Sequence, residues 1–244
     1  CFPKRINKVF YTIESLFNQS FDYNYSIVLY LSKDEFSSYL DIPHSIRKLV
    51  NRGLVVKFVS DNIRSYKKLH YAYQEFKYIP IVTVDDDIFY PRNWLSKIYS
   101  SHIENEDDII YMRGREITFN NNNIDFYNYM PQAKGYSRSF LSIPTGVSGI
   151  LYPPNSLHAD FSNVDIFMSL SPTADDLWYK IMTLKNNKRC FLANGFSIHY
   201  PPVLGTQSIS LRKINLSDGK SNNDIQFDAL LKHYNINLRD YMDL

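Results

Sequence analysis

Three consecutive carboxylates, Asp85, Asp86 and Asp87, follow directly on the apolar run Ile81-Val82-Thr83-Val84. Charges of one sign at the end of a buried strand repel one another, and the usual remedy is a divalent cation. Hard carboxylate oxygens suit Mg²⁺ or Mn²⁺. Side chains at i and i+2 of an extended chain share a face, so Asp85 and Asp87 can address a single ion. Open α/β sheets bind ligands at the carboxyl ends of their strands, where this triplet falls. The alternatives are a solvated acidic loop, or Asp87 serving as a helix cap.

A second acidic pair, Asp175-Asp176, stands in the first turn of a helix introduced by Ser171-Pro172. Acids there complement the helix dipole, for roughly 0.3–1 kcal/mol each. Adjacent helical residues point about 100° apart, so the two cannot do the same job. One can cap the helix while the other faces a cleft as a general base, and Asp176 is favoured over Asp175 for that role. Asp61 closes the strand-like run Leu54–Ser60, and Arg64, Lys67 and Lys68 follow in the next turn. Cations there suit a diphosphate. An N-cap role for Asp61 and a wet helix face for the lysines are the competing readings. His199 is a candidate third metal ligand or diphosphate contact, although a lone histidine is more often structural. Gly146 and Gly149 let backbone pass close to a ligand or simply turn the chain. Trp178 and Tyr152 can stack on a sugar or fill the core.

The elements that must hold these groups alternate in period. Helical spacing runs through Asn7–Asn18 and His44–Arg52, along Tyr66, Leu69, Tyr73 and Phe76, and from Pro91 past Ile98. Continuous apolar runs at Tyr25–Leu31, Leu54–Val59, Ile79–Val84 and Ile109–Met112 read as buried strands. This rhythm argues for a mostly parallel sheet with helices on both faces. After about Arg115 it weakens. Asn120–Asn123 is a polar loop, and Thr145–Tyr152 is a turn feeding a strand. Ser171 to about Leu184 is a helix with Leu177, Ile181 and Leu184 as its inner stripe. Phe191–His199 is a last strand, and a polar tail beyond Pro201 becomes helical at Ile225–His233.

The chain has 244 residues with 27 Lys+Arg against 25 Asp+Glu, so disorder and a nucleic-acid footprint are both excluded. One large α/β domain is the expectation. Two cysteines, Cys1 and Cys190, are too few for a disulfide framework, which argues for a reducing compartment. No signal peptide is read, because Lys4, Arg5 and Lys8 are not followed by an apolar stretch. Aromatics are abundant at 16%, and Tyr both stacks on sugars and offers them a hydroxyl. A haloacid-type phosphatase would want Thr or Val where Phe89 stands. A nucleotidyltransferase would want an early glycine-rich phosphate loop, which is not seen. A metal bridging a nucleotide diphosphate, as in sugar-nucleotide enzymes, is what remains.

Several stretches resemble bacterial GT-A-type glycosyltransferases (family 2-like) linked to capsule or lipopolysaccharide glycans. They are residues 2–6 (FPKRI), 12–19 (TIESLFNQ), 61–69 (DNIRSYKKL), 82–91 (VTVDDDIFYP), 94–95 (WL), 144–154 (PTGVSGILYPP) and 172–178 (PTADDLW). The likeness spans about residues 2–200 in the right order. It implies a GT-A-like, Rossmann-like fold with a nucleotide-sugar half to about residue 115 and an acceptor half beyond. In such folds a first strand precedes the Pro-Lys-Arg-Ile stretch, and here that strand is expected to be truncated. The resemblance makes Asp85 and Asp87 the DXD metal ligands, with His199 as a possible third. Asp61, Arg64, Lys67, Lys68 and Asp86 fall to the nucleotide donor, and Asp176 or Asp175 to base catalysis. The implied reaction is inverting transfer from a nucleotide-diphosphate sugar to an oligosaccharide or lipid-linked glycan, with Mn²⁺ or Mg²⁺ as cofactor. The implied setting is cytoplasmic, with peripheral contact at the inner membrane. The rival expectations are a non-catalytic nucleotide- or glycan-binding protein on the same scaffold and a metal-dependent phosphohydrolase.

Overall fold

Val9, Thr12, Ile13 and Leu16 fall on one stripe and are all buried, which makes the first helix, α1 (Val9–Phe17), amphipathic. Val9 and Ile13 pack on a parallel pair, β1 (Ile27–Ser32) and β2 (Leu54–Val59), in which Ile27 lies opposite Leu54. Between these strands α2 (His44–Val50) turns Ile46 and Leu49 into the same core. The alternation continues through α3 (Lys67–Glu75), β3 (Ile81–Thr83), α4 (Trp94–Glu104) and β4 (Ile109–Tyr111). The computed structural model describes residues 1–121, 123–136, 138–206 and 221–242. Within them the architecture is mixed α/β, with seven α-helices.

The second half departs from the expected pattern. β5 (Gly114–Glu116) pairs antiparallel with β9 (Ser142–Pro144). β6 (Phe119–Asn120) and β7 (Asn123–Ile124) pair antiparallel, so the polar tract read as a loop is the end of a hairpin, with Asn121 at φ +54°. β10 (Ile150–Tyr152) inserts between β3 and β4, antiparallel to both. β11 (Cys190–Leu192) lies parallel to β4 and antiparallel to β8 (Arg138–Ser139). The five-stranded sheet, ordered β3-β10-β4-β11-β8, is therefore mixed rather than mostly parallel. The physical reason is that a fully apolar strand such as Ile-Leu-Tyr records burial on both faces but not direction.

Three helices complete the chain: α5 (Val164–Leu170), α6 (Asp175–Lys185) and α7 (Asn222–His233). α5 was not foreseen. α6 begins at Asp175, three residues after Pro172. It is buried on nearly every side, with Leu177, Trp178, Tyr179, Ile181, Met182 and Leu184 each at most 2% exposed. Trp178 and Tyr152 are thus core residues, and neither is available to stack on an acceptor. The anticipated strand Phe191–His199 shrinks to Cys190–Leu192, and His199 sits in irregular backbone. The early part of the expected polar tail lies mostly outside the described residues. Both cysteines are free, and no helix among the described residues is long and apolar enough to cross a membrane.

Candidate functional site

Loops at the carboxyl ends of the strands surround a cleft of about 1010 Å³. The end of β3 contributes Asp85, Asp86 and Asp87, the approach to α3 contributes Arg64, Lys67 and Lys68, and the start of α6 contributes Asp175 and Asp176. His199 also lines it. Residues 90 positions apart in sequence are therefore neighbours here. Asp61 is not among them: it is exposed, its carboxylate accepts from the Ser60 hydroxyl, and its carbonyl accepts from Tyr71.

Lys68 is the hub. Its Nζ lies 3.2 Å from Asp85 Oδ1, 3.0 Å from Asp175 Oδ2 and 4.0 Å from Asp176 Oδ1. At roughly 4 Å and an effective dielectric of about 20, one such pair contributes about 4 kcal/mol before desolvation. Burial opposes the charge on Lys68, but the carboxylates of Asp175, Asp85 and Asp176 outweigh it and hold the ammonium well above its usual range. The residue read as a donor-phosphate ligand is thus a tie between the acids of β3 and those of α6. Lys67 is not on a wet face either. It is buried, with Nζ 3.0 Å from Glu35 and 2.8 Å from Asn62 Oδ1.

Asp176 accepts from the Gly146 backbone N–H through both oxygens, each at 3.2 Å. Its side chain keeps 27% exposure toward the open cleft. Surrounding protein nevertheless removes most of its solvent, and with Asp175 and Asp85 nearby this pushes its carboxyl up to about 7, against the pull of Lys68. A carboxylate whose proton affinity is raised in this way is better matched to general-base chemistry at neutral pH. Asp175 is more deeply buried. The expected division into a cap and a base is not seen: both acids line the cleft and neither caps α6, Asp176 being the more exposed of the two.

The third acidic group is held by Arg5, whose Nη1 lies 2.8 Å from Asp86 Oδ1 and 3.1 Å from Asp87 Oδ2. Desolvation pushes Asp87 up to about 6, with Asp85 and Asp86 adding to the shift while Arg5 and the Thr206 hydroxyl oppose it. A short turn, Gly146–Ser148, locks the two acidic clusters together. The Tyr90 hydroxyl accepts from the Asp85 backbone N–H and donates to the Val147 carbonyl. The Trp94 indole donates to the Ser148 carbonyl at 2.8 Å. The buried Tyr66 hydroxyl, at the N-cap of α3, donates to the Ser171 carbonyl at the end of α5, at 2.6 Å.

The donor set is chemically right for a hard divalent cation, since Asp85 and Asp87 both line the cleft with carboxylate oxygens. Among the described residues no three His, Cys, Asp or Glu side chains gather closely enough to hold a metal by themselves. Asp85, Asp87 and the exposed His199 are thus not assembled into a ligand trio. Mg²⁺ is commonly bound through one or two carboxylates together with substrate phosphates and water, and two aspartates fit that pattern.

Sequence reasoning missed Arg5, Arg113, Arg115 and Asn223, all of which line the cleft. Arg113 donates to the Thr145 hydroxyl at 3.1 Å, and Arg115 lies over the Tyr127 ring. Arg113 follows the carboxyl end of β4, so the strand-end rule that marked Asp85 would have found it. Asn223 had no signal beyond its place at a helix start.

No protein-family profile matches the chain, and no curated protein does. Among solved structures it is similar to the crystal structure of an apo-UDP-glucose pyrophosphorylase, with a TM-score of 0.45 and 10% identity over 93% of this chain and 86% of that one. A likeness that loose carries no argument about chemistry.

Proposed function

We propose that the protein is a metal-dependent, inverting glycosyltransferase of the GT-A type, moving a sugar from a nucleotide-diphosphate donor to a bacterial surface glycan. The observation that carries this reading is the meeting of Asp85, Asp175 and Asp176 around Lys68 in one cleft. The resemblance in the quoted motifs supplies the reaction class.

In this reading Asp85 and Asp87 would hold Mg²⁺ or Mn²⁺, which supplies neutralising charge to the leaving diphosphate. Arg5 orients Asp86 and Asp87. Arg64, exposed at the cleft with its guanidinium donating to the Pro172 carbonyl at 3.4 Å, would supply charge to the phosphates. Asp176 takes the proton from an acceptor hydroxyl as that oxygen bonds to the anomeric carbon. The bond from that carbon to the diphosphate oxygen breaks, and the nucleoside diphosphate leaves with the electron pair. One displacement inverts the anomeric centre. The same reading puts the protein on the cytoplasmic side of the inner membrane, in peripheral contact with a lipid-linked acceptor.

The test is a nucleotide-sugar panel with and without Mn²⁺, read as both binding and transfer. Asp176→Asn should keep donor binding and lose about 10²–10⁴-fold in turnover, the range general-base removal gives. Asp87→Ala should lose Mn²⁺-dependent nucleotide binding together with turnover. Unchanged turnover in either variant refutes the proposal. Nucleotide binding without transfer would instead mark a non-catalytic binder, and phosphate release from simple esters a phosphohydrolase.

A further inference from the structure

A second concavity, of about 730 Å³, lies outside the cleft between the β6–β7 hairpin and α7. Two aromatic rings stand open at it. Tyr129 is 68% exposed and Phe126 is 40% exposed, and their centroids are 6.2 Å apart. A turn in which the Phe126 carbonyl accepts from the Tyr129 N–H, at 2.8 Å, presents them together. Two rings held side by side at the mouth of a concavity present a flat apolar face to whatever enters it.

The surroundings specify the ligand. The exposed amide of Asn120 lines the same groove and offers donors and an acceptor in one plane, whereas the Asn237 amide is spent on capping the Leu238–Tyr241 turn and on Asp240. Among the described residues lining it, Asp125, Asp224 and Asp228 stand against one cation, Arg239, whose guanidinium donates to the Asn121 carbonyl at 2.6 Å. A surplus of acid disfavours anionic chains. Apolar flat faces beside a planar amide fit sugar rings, which carry both C–H faces and hydroxyl edges.

The groove also adjoins the cleft. Phe126 faces the groove while Tyr127 faces the cleft, and on α7 Asp224 faces the groove while Asn223 faces the cleft. Two short segments, Phe126-Tyr127 and Asn223-Asp224, thus contribute to both cavities.

We infer that this groove is a binding subsite for a neutral oligosaccharide, holding the part of a glycan chain remote from the reacting end. The assignment rests on the glycosyl-transfer reading for its connection to the cleft, but binding itself can be measured without turnover. The experiment applies the wild-type protein, Tyr129→Ala and Phe126→Ala to an array of defined neutral and acidic oligosaccharides, with nucleotide and Mn²⁺ binding followed separately. Wild type should retain neutral chains, each variant should bind them at least tenfold more weakly, and nucleotide binding should be unchanged in both. Failure of wild type to bind any arrayed glycan, preference for acidic chains, or equal binding by the variants overturns the inference. Glycan binding that persists in a protein lacking nucleotide affinity would sink the transferase reading and leave the groove standing.

Discussion

At the scale of single residues, two glycines three positions apart separate the chemistry from the scaffold. A Cβ at Gly146 would lie 2.4 Å from Lys68 Nζ and 3.3 Å from Asp176 Oδ1. The first of these is the tip of a flexible side chain and can swing aside cheaply, but moving it dismantles the contact between the acids of β3 and α6. At Gly149 the backbone is left-handed, at φ +103°, and a Cβ would lie 2.4 Å from the Trp94 ring, which is buried and cannot swing. Gly146→Ala should therefore cut turnover at least tenfold, with a smaller loss of thermal stability than Gly149→Ala. Gly149→Ala should destabilise by about 2 kcal/mol or more, combining overpacking with backbone strain. Paired melting curves and rate measurements decide it: equal loss of stability in the two variants would show that Gly146 is only a packing position.

At the scale of elements, the cap on α7 matters because that helix walls both the cleft and the groove. Ser221 and Asp224 form a reciprocal capping box, and Asp224 also accepts from the Tyr127 backbone N–H at 2.6 Å. Ser221→Ala should cost about 1 kcal/mol, read in chemical denaturation. A change below about 0.3 kcal/mol would mean that the Tyr127 contact alone anchors the helix. The same element shows what a sequence can convey. Helical spacing from Ile225 onward revealed α7, but its first turn is polar and carries no period, so Asn223 was invisible. Asp85, Asp87, Lys68 and Asp176 were legible because charge at the end of an apolar run, or at a helix start, is conspicuous in one dimension. That Lys68 would bridge the acids, that Lys67 would be buried against Glu35, and that Asp61 would face solvent depend on which loops fold back together. Strand direction was lost for a related reason, since β10 is apolar throughout and pairs equally well either way round.

At the scale of the whole molecule, the site makes stability depend on protons. Asp87 and Asp176 bind protons more tightly in the folded chain, with carboxyls raised to about 6 and about 7. A raised folded-state pKa contributes stability that is complete below the unfolded value and is lost as pH climbs through the folded one. Between about pH 4 and pH 7 both groups therefore destabilise the ligand-free fold progressively. His70 and His102, lowered by burial, work in the opposite sense over part of that range, so the contribution of Asp176 is isolated by difference. Wild type should lose melting temperature relative to Asp176→Asn on going from pH 5 to pH 8, at about 2–4 °C for each kcal/mol. A cation competes with protons for the same carboxylates. Mn²⁺ with nucleotide should accordingly raise the melting temperature more at pH 7.5 than at pH 5.5, and Asp87→Asn should abolish that difference. A Mn²⁺ shift that is independent of pH, or that survives Asp87→Asn, would place the cation away from the acidic triplet and remove the charge argument on which the proposed reaction stands.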